Sequence, residues 1–158
     1  MKILITGAKG FVGKNLQAFL RNYGYSTIYE VDKDTPSDIF DLYCRECDFV
    51  FHLAGSNRPS DTSEFMSGNF DATTYLLNHL EKHHNPAPIL LASSIQAALD
   101  NPYGLSKKAA EELLFDYAQQ TGNQIFVYRY PNIFGKCACL TTTVSSQHFV
   151  TTPLTICQ

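Results

Sequence analysis

Nowhere in its 158 residues does the sequence run apolar for the roughly 18 positions that a bilayer-crossing helix needs. Met1-Lys2 leads straight into a strand-like apolar run, so no secretory leader and no membrane partner is expected, and the chain reads as cytoplasmic. Clustered charge is missing as well. The 12 basic and 15 acidic side chains are spread along the chain and leave no basic stripe for a nucleic acid. Metal-ligand spacing is scarce: of 5 cysteines, Cys44 and Cys47 have the gap of a zinc pair, but zinc would need a second pair beside them. No metal site is expected, and the cysteines read as reduced structural residues. One compact domain fits this length; a second full one does not. Small-molecule partners are what remains.

What is present is a glycine-rich turn. Thr6-Gly7-Ala8-Lys9-Gly10-Phe11-Val12-Gly13 joins the apolar run ending at Thr6 to an amphipathic run in which Val12, Leu16, Phe19, Leu20 and Tyr23 recur at helical spacing. Gly7 permits the tight turn, Gly10 admits a pyrophosphate close to the backbone, and Gly13 lets the helix pack on the strand. The N–H groups at the helix start then face an anion. This is the grammar of a dinucleotide site, and the bland alternative is an ordinary strand-to-helix turn.

The rest of the chain alternates strand and helix: strands over Tyr25–Val31, Asp48–Leu53, Ile89–Ala92 and Gln124–Tyr130, and helices over Ser37–Arg45, Asp61–His83 with a break near Gly68, and Tyr103–Gln120. Near-continuous apolar strands between helices imply an α/β fold, a doubly wound Rossmann domain with a parallel sheet. Ligands in such sheets sit beyond the carboxyl ends of the strands. Gly7 to Gly13, Asp32-Lys33, Ala54-Gly55, Ser93-Ser94 and Pro131-Asn132 are all expected just after strand ends. Asp32 stands where a carboxylate binds the ribose of NAD, whereas the neighbouring Lys33 suits the extra phosphate of NADP, so the residues leave that choice open.

Tyr103 and Lys107 lie four apart, hence on one helical face. A fixed ammonium is expected to lower the phenol pKa, so that Tyr103 exchanges a proton with a carbonyl or alcohol oxygen, and Lys107 also suits the nicotinamide ribose. Ser94 is placed to donate a hydrogen bond to the same oxygen. His52, His79, His83 and His84 have structural explanations, the last three near a helix end where a cation suits the macrodipole.

The segments TGAKGFVG, HLAG, SSIQA, NPYGLSK and RYPNIFG resemble the extended short-chain dehydrogenase/reductase family over residues 1–136. The resemblance implies a catalytic Ser94, Tyr103 and Lys107, and a cofactor site of Gly7, Gly10, Phe11, Val12, Gly13, Asp32, Lys33, Leu53, Ala54, Gly55, Tyr103, Lys107, Tyr130 and Pro131. It gives Asn132 to the diphosphate of a nucleotide-sugar substrate and makes Asn69 structural. HLAGSNRP and DNPYGLSK more narrowly resemble bifunctional capsular-polysaccharide enzymes of the CapF type. That likeness implies NADPH, with NAD(H) the alternative, and reduction of a UDP-linked 4-keto-6-deoxy-N-acetylhexosamine on the route to UDP-N-acetyl-L-fucosamine. It implies substrate contacts at Asn57 and Arg58 and a homo-oligomer for the full-length relative. A C-terminal metal-binding cupin belongs to such enzymes and has no counterpart in this sequence. The alternatives are an inactive dinucleotide-binding module and an NAD-dependent nucleotide-sugar 4-epimerase.

Past Lys136 the pattern stops. Residues 137–158 are rich in Thr, Ser and Cys without helical or alternating period. Back-translation from Cys139 admits a neighbouring frame that spells the family's P-N-Y-N-S run, so a frameshift before Leu140 is expected, leaving the domain C-terminally incomplete, with cofactor binding expected to survive and turnover to be impaired.

Overall fold

The computed structural model describes residues 1–57, 61–62 and 64–133. The tail at 137–158, Gly135, Lys136 and the substrate candidate Arg58 lie outside the described residues. Apolar runs flanked by turn residues form five strands: β1 (Ile3–Thr6), β2 (Ile28–Val31), β3 (Phe49–His52), β4 (Ile89–Ser94) and β5 (Ile125–Tyr130). All pair in parallel, in the order β2-β1-β3-β4-β5. The expected α/β doubly wound sheet is therefore present. Because β2 and β3 flank β1 on opposite sides, the chain reverses its direction of travel across the sheet at β1, which opens a crevice at the carboxyl ends of β1 and β3.

The helices are α1 (Phe11–Asn22), α2 (Ser37–Glu46), the single turn α3 (Glu64–Met66), a π-turn (Ser67–Asp71), α4 (Ala72–Lys82), a 3₁₀ turn (Ile95–Ala98) and α5 (Pro102–Thr121). Strand alternation divides the core in two. Leu4, Val50, Ile89 and Leu91 pack with Phe40 and Cys44 of α2, Leu76 and Leu80 of α4, and Leu114 and Tyr117 of α5. Ile3 and Ile5 face the other way, against Ala8 and Leu20. Cys44 and Cys47 are buried, and burial first of all pushes their thiols far above the ordinary range, so they are packing groups with little thiolate.

Three expectations need correction. Phe19 and Tyr23 are exposed and stack on each other at the surface, with ring centroids 4.5 Å apart. The second strand starts at Ile28 because Tyr23–Tyr25 close α1: Gly24 takes φ +83° and the Tyr25 N–H donates back to Leu20 O. Ser93 and Ser94 lie inside β4, which runs on because β5 pairs with it as far as Tyr130. The break near Gly68 is the π-turn. Among the described residues no helix is long and apolar enough to cross a membrane, and no cluster of His, Cys, Asp and Glu has the makings of a metal site.

Candidate active site

A cavity of about 470 Å³ opens at the crevice, walled by Gly7, Gly10, Val31, Asp32, Lys33, Phe40, Leu53, Ala54, Gly55, Tyr75 and Leu76 among others. Gly7 has φ +68°, and a Cβ there would come within 2.8 Å of Ala54 N, so the turn after β1 and the end of β3 close on each other only because the side chain is absent. A Cβ on Gly13 would lie 2.4 Å from Gly7 O, which is the close helix–strand approach expected of that residue. Asp32 is fixed at the end of β2: its carboxylate accepts from the Lys9 N–H at 2.9 Å and the Lys33 N–H at 3.0 Å, and its own N–H donates to Thr35 Oγ1. The backbone N–H groups of Lys9 and Lys33 thus bracket one carboxylate, while the Lys9 ammonium is paired to Asp34.

Beyond this cavity α5 begins. Asn101 caps it, its side chain accepting from the Gly104 N–H at 2.8 Å, and Pro102 follows with its φ preset for the first turn. That turn carries Tyr103, whose phenol lies near enough to Ser94 for the serine hydroxyl to act on it, so the two meet across the end of β4. Lys107 stands one turn on, its Nζ 5.9 Å from the Tyr103 ring centroid and donating to Ala92 O at 3.2 Å. Burial pulls the Lys107 pKa down to about 8, with Glu111 acting in the opposite sense. For Tyr103 the expected lowering is overturned. Burial raises the phenol pKa, the nearby Ser94 hydroxyl only partly offsets it, and no effect of Lys107 is resolved at nearly 6 Å.

The floor is built from β3 and the π-turn. Asn69, 2% exposed, donates through Nδ2 to Ser56 O, Phe65 O and Ser106 Oγ, each at 3.0 Å, while its buried Oδ1 has no hydrogen-bond partner among the described residues. A Cβ on Gly55 would fall 2.6 Å from that Oδ1 and 2.9 Å from Lys107 Nζ, so this glycine is the opening through which both groups reach the groove. Underneath, His52 Nδ1 lies 2.7 Å from Thr6 Oγ1 and Nε2 lies 3.0 Å from Thr73 Oγ1. Thr73 gives its own proton to Asn69 O, so it accepts from Nε2–H, and Nδ1 accepts from Thr6. Both ring nitrogens are satisfied in the neutral form, and burial holds the imidazole pKa down at about 3.

The sequence matches the NAD dependent epimerase/dehydratase family over residues 3–152. The chain belongs to that family. The match runs past Lys136, into the stretch where the sequence changes character. A UDP-2-acetamido-2,6-beta-L-arabino-hexul-4-ose reductase of Pseudomonas aeruginosa is 43% identical over 136 residues, 86% of this chain and 37% of the relative. The crystal structure of the capsular polysaccharide assembling protein CapF of Staphylococcus aureus superposes with a TM-score of 0.80 at 44% identity, over 92% of this chain and 39% of that one. The structure of RMD from Pseudomonas aeruginosa complexed with NADPH gives a TM-score of 0.65 at 27% identity, over 84% of this chain and 55% of that one. The chain thus spans under two fifths of the length of the first two relatives.

In this member of the family the structure brings Ser94, Tyr103 and Lys107 together and lines one cavity with Gly7, Gly10, Asp32, Lys33, Leu53, Ala54 and Gly55. Phe11, Val12 and Gly13 form the first turn of α1 instead of the cavity wall. Tyr130 is partly buried at the end of β5, Pro131 and Asn132 follow it exposed, and Asn57 is exposed after β3. Thr6, Phe40, His52, Tyr75 and Leu76 also wall the cavity, and Glu111 acts on Lys107; none was picked out as a site residue. Glu111 had a visible signal, four residues after Lys107 on the same face. Phe40 and Tyr75, apolar helix positions with rings 5.0 Å apart, carry no mark in sequence that separates them from core.

Proposed function

We propose that this chain carries the cofactor-binding and proton-donating part of an NADPH-dependent reductase of a UDP-linked 4-keto-6-deoxy-N-acetylhexosamine. The observation that supports it most is the convergence of Ser94, Tyr103 and Lys107 at the carboxyl end of the sheet beside the glycine-walled cavity. The identity to the Pseudomonas reductase supports the substrate class. The cavity fits a dinucleotide: a wall in which Gly7 and Gly10 leave backbone uncovered, a carboxylate on Asp32 held by two backbone N–H groups with Lys33 beside it where the adenosine ribose would lie, and an apolar wall of Phe40 and Leu76. Gly7, Gly10 and the start of α1 would hold the pyrophosphate, Asp32 and Lys33 the ribose, and Lys107, Tyr130 and Pro131 the nicotinamide end. The reduced cofactor, when bound, supplies the hydride.

The chain's own residues supply position and proton. A raised phenol pKa keeps Tyr103 protonated at neutral pH, the state needed to give its proton to a carbonyl oxygen as negative charge develops there. Ser94 donates to the same oxygen and steadies that charge. The Lys107 ammonium orients the nicotinamide ribose, and Ser94 is the neighbour that favours the phenolate left behind. Asn57, Arg58 and Asn132 are assigned to the sugar nucleotide. Residues 1–136 form the reductase portion and 137–158 a shifted-frame tail, which resequencing the gene tests: an intact frame with no family likeness in the neighbouring reading removes that assignment.

Titrating the purified chain with NADPH and NADH by nicotinamide fluorescence, then adding the 4-keto sugar nucleotide and following loss of reduced-nicotinamide absorbance, tests the function. Binding of NADPH by this chain, and turnover in a frame-restored chain that Tyr103→Phe abolishes, is the expected result. Binding of neither nucleotide overturns the reading, and binding without turnover, also in a frame-restored chain, marks a dinucleotide-binding module instead.

A further inference from the structure

Glu111 lies in the middle of α5 at 2% exposure, and a carboxylate so buried is costly unless its charge is met by partners. Arg129 of β5 meets it in a fork: Nε donates to the two oxygens at 3.0 and 3.2 Å, and Nη2 donates to Oε2 at 2.6 Å. From β4 the Ser93 hydroxyl donates to Oε1. Ser93 and Arg129 stand directly opposite each other in the β4–β5 ladder, and the next pair along it is Ser94 and Tyr130. One turn back along α5 stands Lys107. We propose that Glu111 is the positioning residue of this site: paired with Arg129 and Ser93, it locks the strand ends that carry Ser94 and Tyr130 to the helix that carries Tyr103 and Lys107, and places its carboxylate one helical turn from Lys107. The inference rests on the triad as assigned under Proposed function.

The surroundings of Lys107 isolate this effect. Tyr103 and Glu111 face it from α5, neutral His52 from β3, the Ala92 carbonyl from β4 and the Asn69 amide oxygen from the π-turn, while Arg129 of β5 holds the far side of the Glu111 carboxylate. Among the described residues Glu111 brings the one formal negative charge resolved as acting on Lys107. Two substitutions therefore act with opposite sign. Without the Glu111 charge, burial and the Arg129 cation act unopposed and Lys107 loses its proton at lower pH. Without Arg129, the Glu111 charge is no longer shared and Lys107 holds its proton to higher pH. A packing role alone gives no reason for the signs to differ.

The test is a pH titration of the whole chain carrying ¹³C at the lysine Cε, with the Lys107 resonance assigned by its disappearance in Lys107→Arg. The midpoint is expected near 8 in the native chain, about a full pH unit lower in Glu111→Gln and above the native value in Arg129→Gln. A Glu111→Gln midpoint at or above native, or an Arg129→Gln midpoint at or below it, overturns the proposal. Should either single variant fail to fold, the double variant Glu111→Gln/Arg129→Gln, which leaves no buried charge unpaired, decides by itself: its midpoint is expected below the native value, and one at or above it overturns the proposal. NADPH titration of the same samples separates the two readings. Midpoints that move as stated in a chain that binds no NADPH overturn the assignment of the triad and leave the Glu111–Lys107 coupling standing.

Discussion

At the scale of single residues, the site is built against stability, and Lys107 shows it. The side chain is 7% exposed, and burial lowers its pKa from 10.5 to about 8. A base whose folded pKa lies below its unfolded value destabilises the fold wherever it is charged in both states: the penalty is complete below about pH 8 and is relieved as pH rises from there toward 10.5. Lys107→Met should therefore raise the unfolding free energy at neutral pH by about 1–3 kcal/mol in urea titrations, and the gain should shrink as the pH climbs through that window. Glu111 does not lose its answer in this variant, because Arg129 and Ser93 still hold it. NADPH binding should weaken in the same protein, since the ammonium assigned to the nicotinamide ribose is gone. A variant of equal or lower stability at neutral pH would contradict the account. The opposition of stability and function is what a charge kept inside for its chemistry produces.

Among the elements, α5 positions the chemistry through its first turn. A Cβ on Gly104 would come 2.2 Å from Gln96 O and 2.6 Å from Leu99 O, so that turn is pressed against the 3₁₀ turn that follows Ser94. The Asn101 cap holds the geometry in which Tyr103 reaches Ser94. Asn101→Ala is expected to cost about 1 kcal/mol in chemical unfolding and Asn101→Ser to recover most of it, whereas a loss shared equally by both would mean that the capping bond contributes nothing. This helix was legible in sequence because cap, proline, apolar period and a terminal Gly122 at φ +77° all agree. The glycine turn after β1 was legible for the same reason. The π-turn was visible only as a suspected break at Gly68, because what creates it is the Asn69 amide reaching Ser56 O and Ser106 Oγ, partners far away in the chain. The pKa of Tyr103 was misjudged for a related cause: four-residue spacing fixes the shared helix face, but desolvation depends on what closes over the ring, here Phe65 at 5.5 Å between centroids.

For the molecule as a whole, the sheet order draws β1, β3 and α4 into one joint, and His52 is its pin. Its ring ties Thr6 of β1 to Thr73 of α4 from β3, directly beneath the cavity, in a form that has no room for a second proton on Nδ1 without breaking the bond accepted from Thr6. Burial holds the imidazole pKa at about 3 against 6.5 for a free histidine, and the Lys107 cation adds to the effect. A base with a lowered folded pKa contributes stability that is complete above its unfolded value. That contribution is lost as pH falls from 6.5 toward 3, because the unfolded chain takes up the proton first. Asp34, Asp41 and Glu46, whose salt-bridge partners lower their pKa values, contribute above their unfolded values of 3.8, 3.8 and 4.5 and lose that contribution only as the pH falls below them. The interval between about pH 6.5 and 4.5 therefore isolates the His52 contribution among these groups. Urea unfolding across it should show the native chain losing stability with a slope that approaches about 1.4 kcal/mol per pH unit, and His52→Gln, which keeps a donor and an acceptor but cannot titrate, should flatten that slope. An unchanged slope in His52→Gln would place the acid sensitivity elsewhere, and the joint between β1, β3 and α4 would then be held by packing instead of by a neutral imidazole.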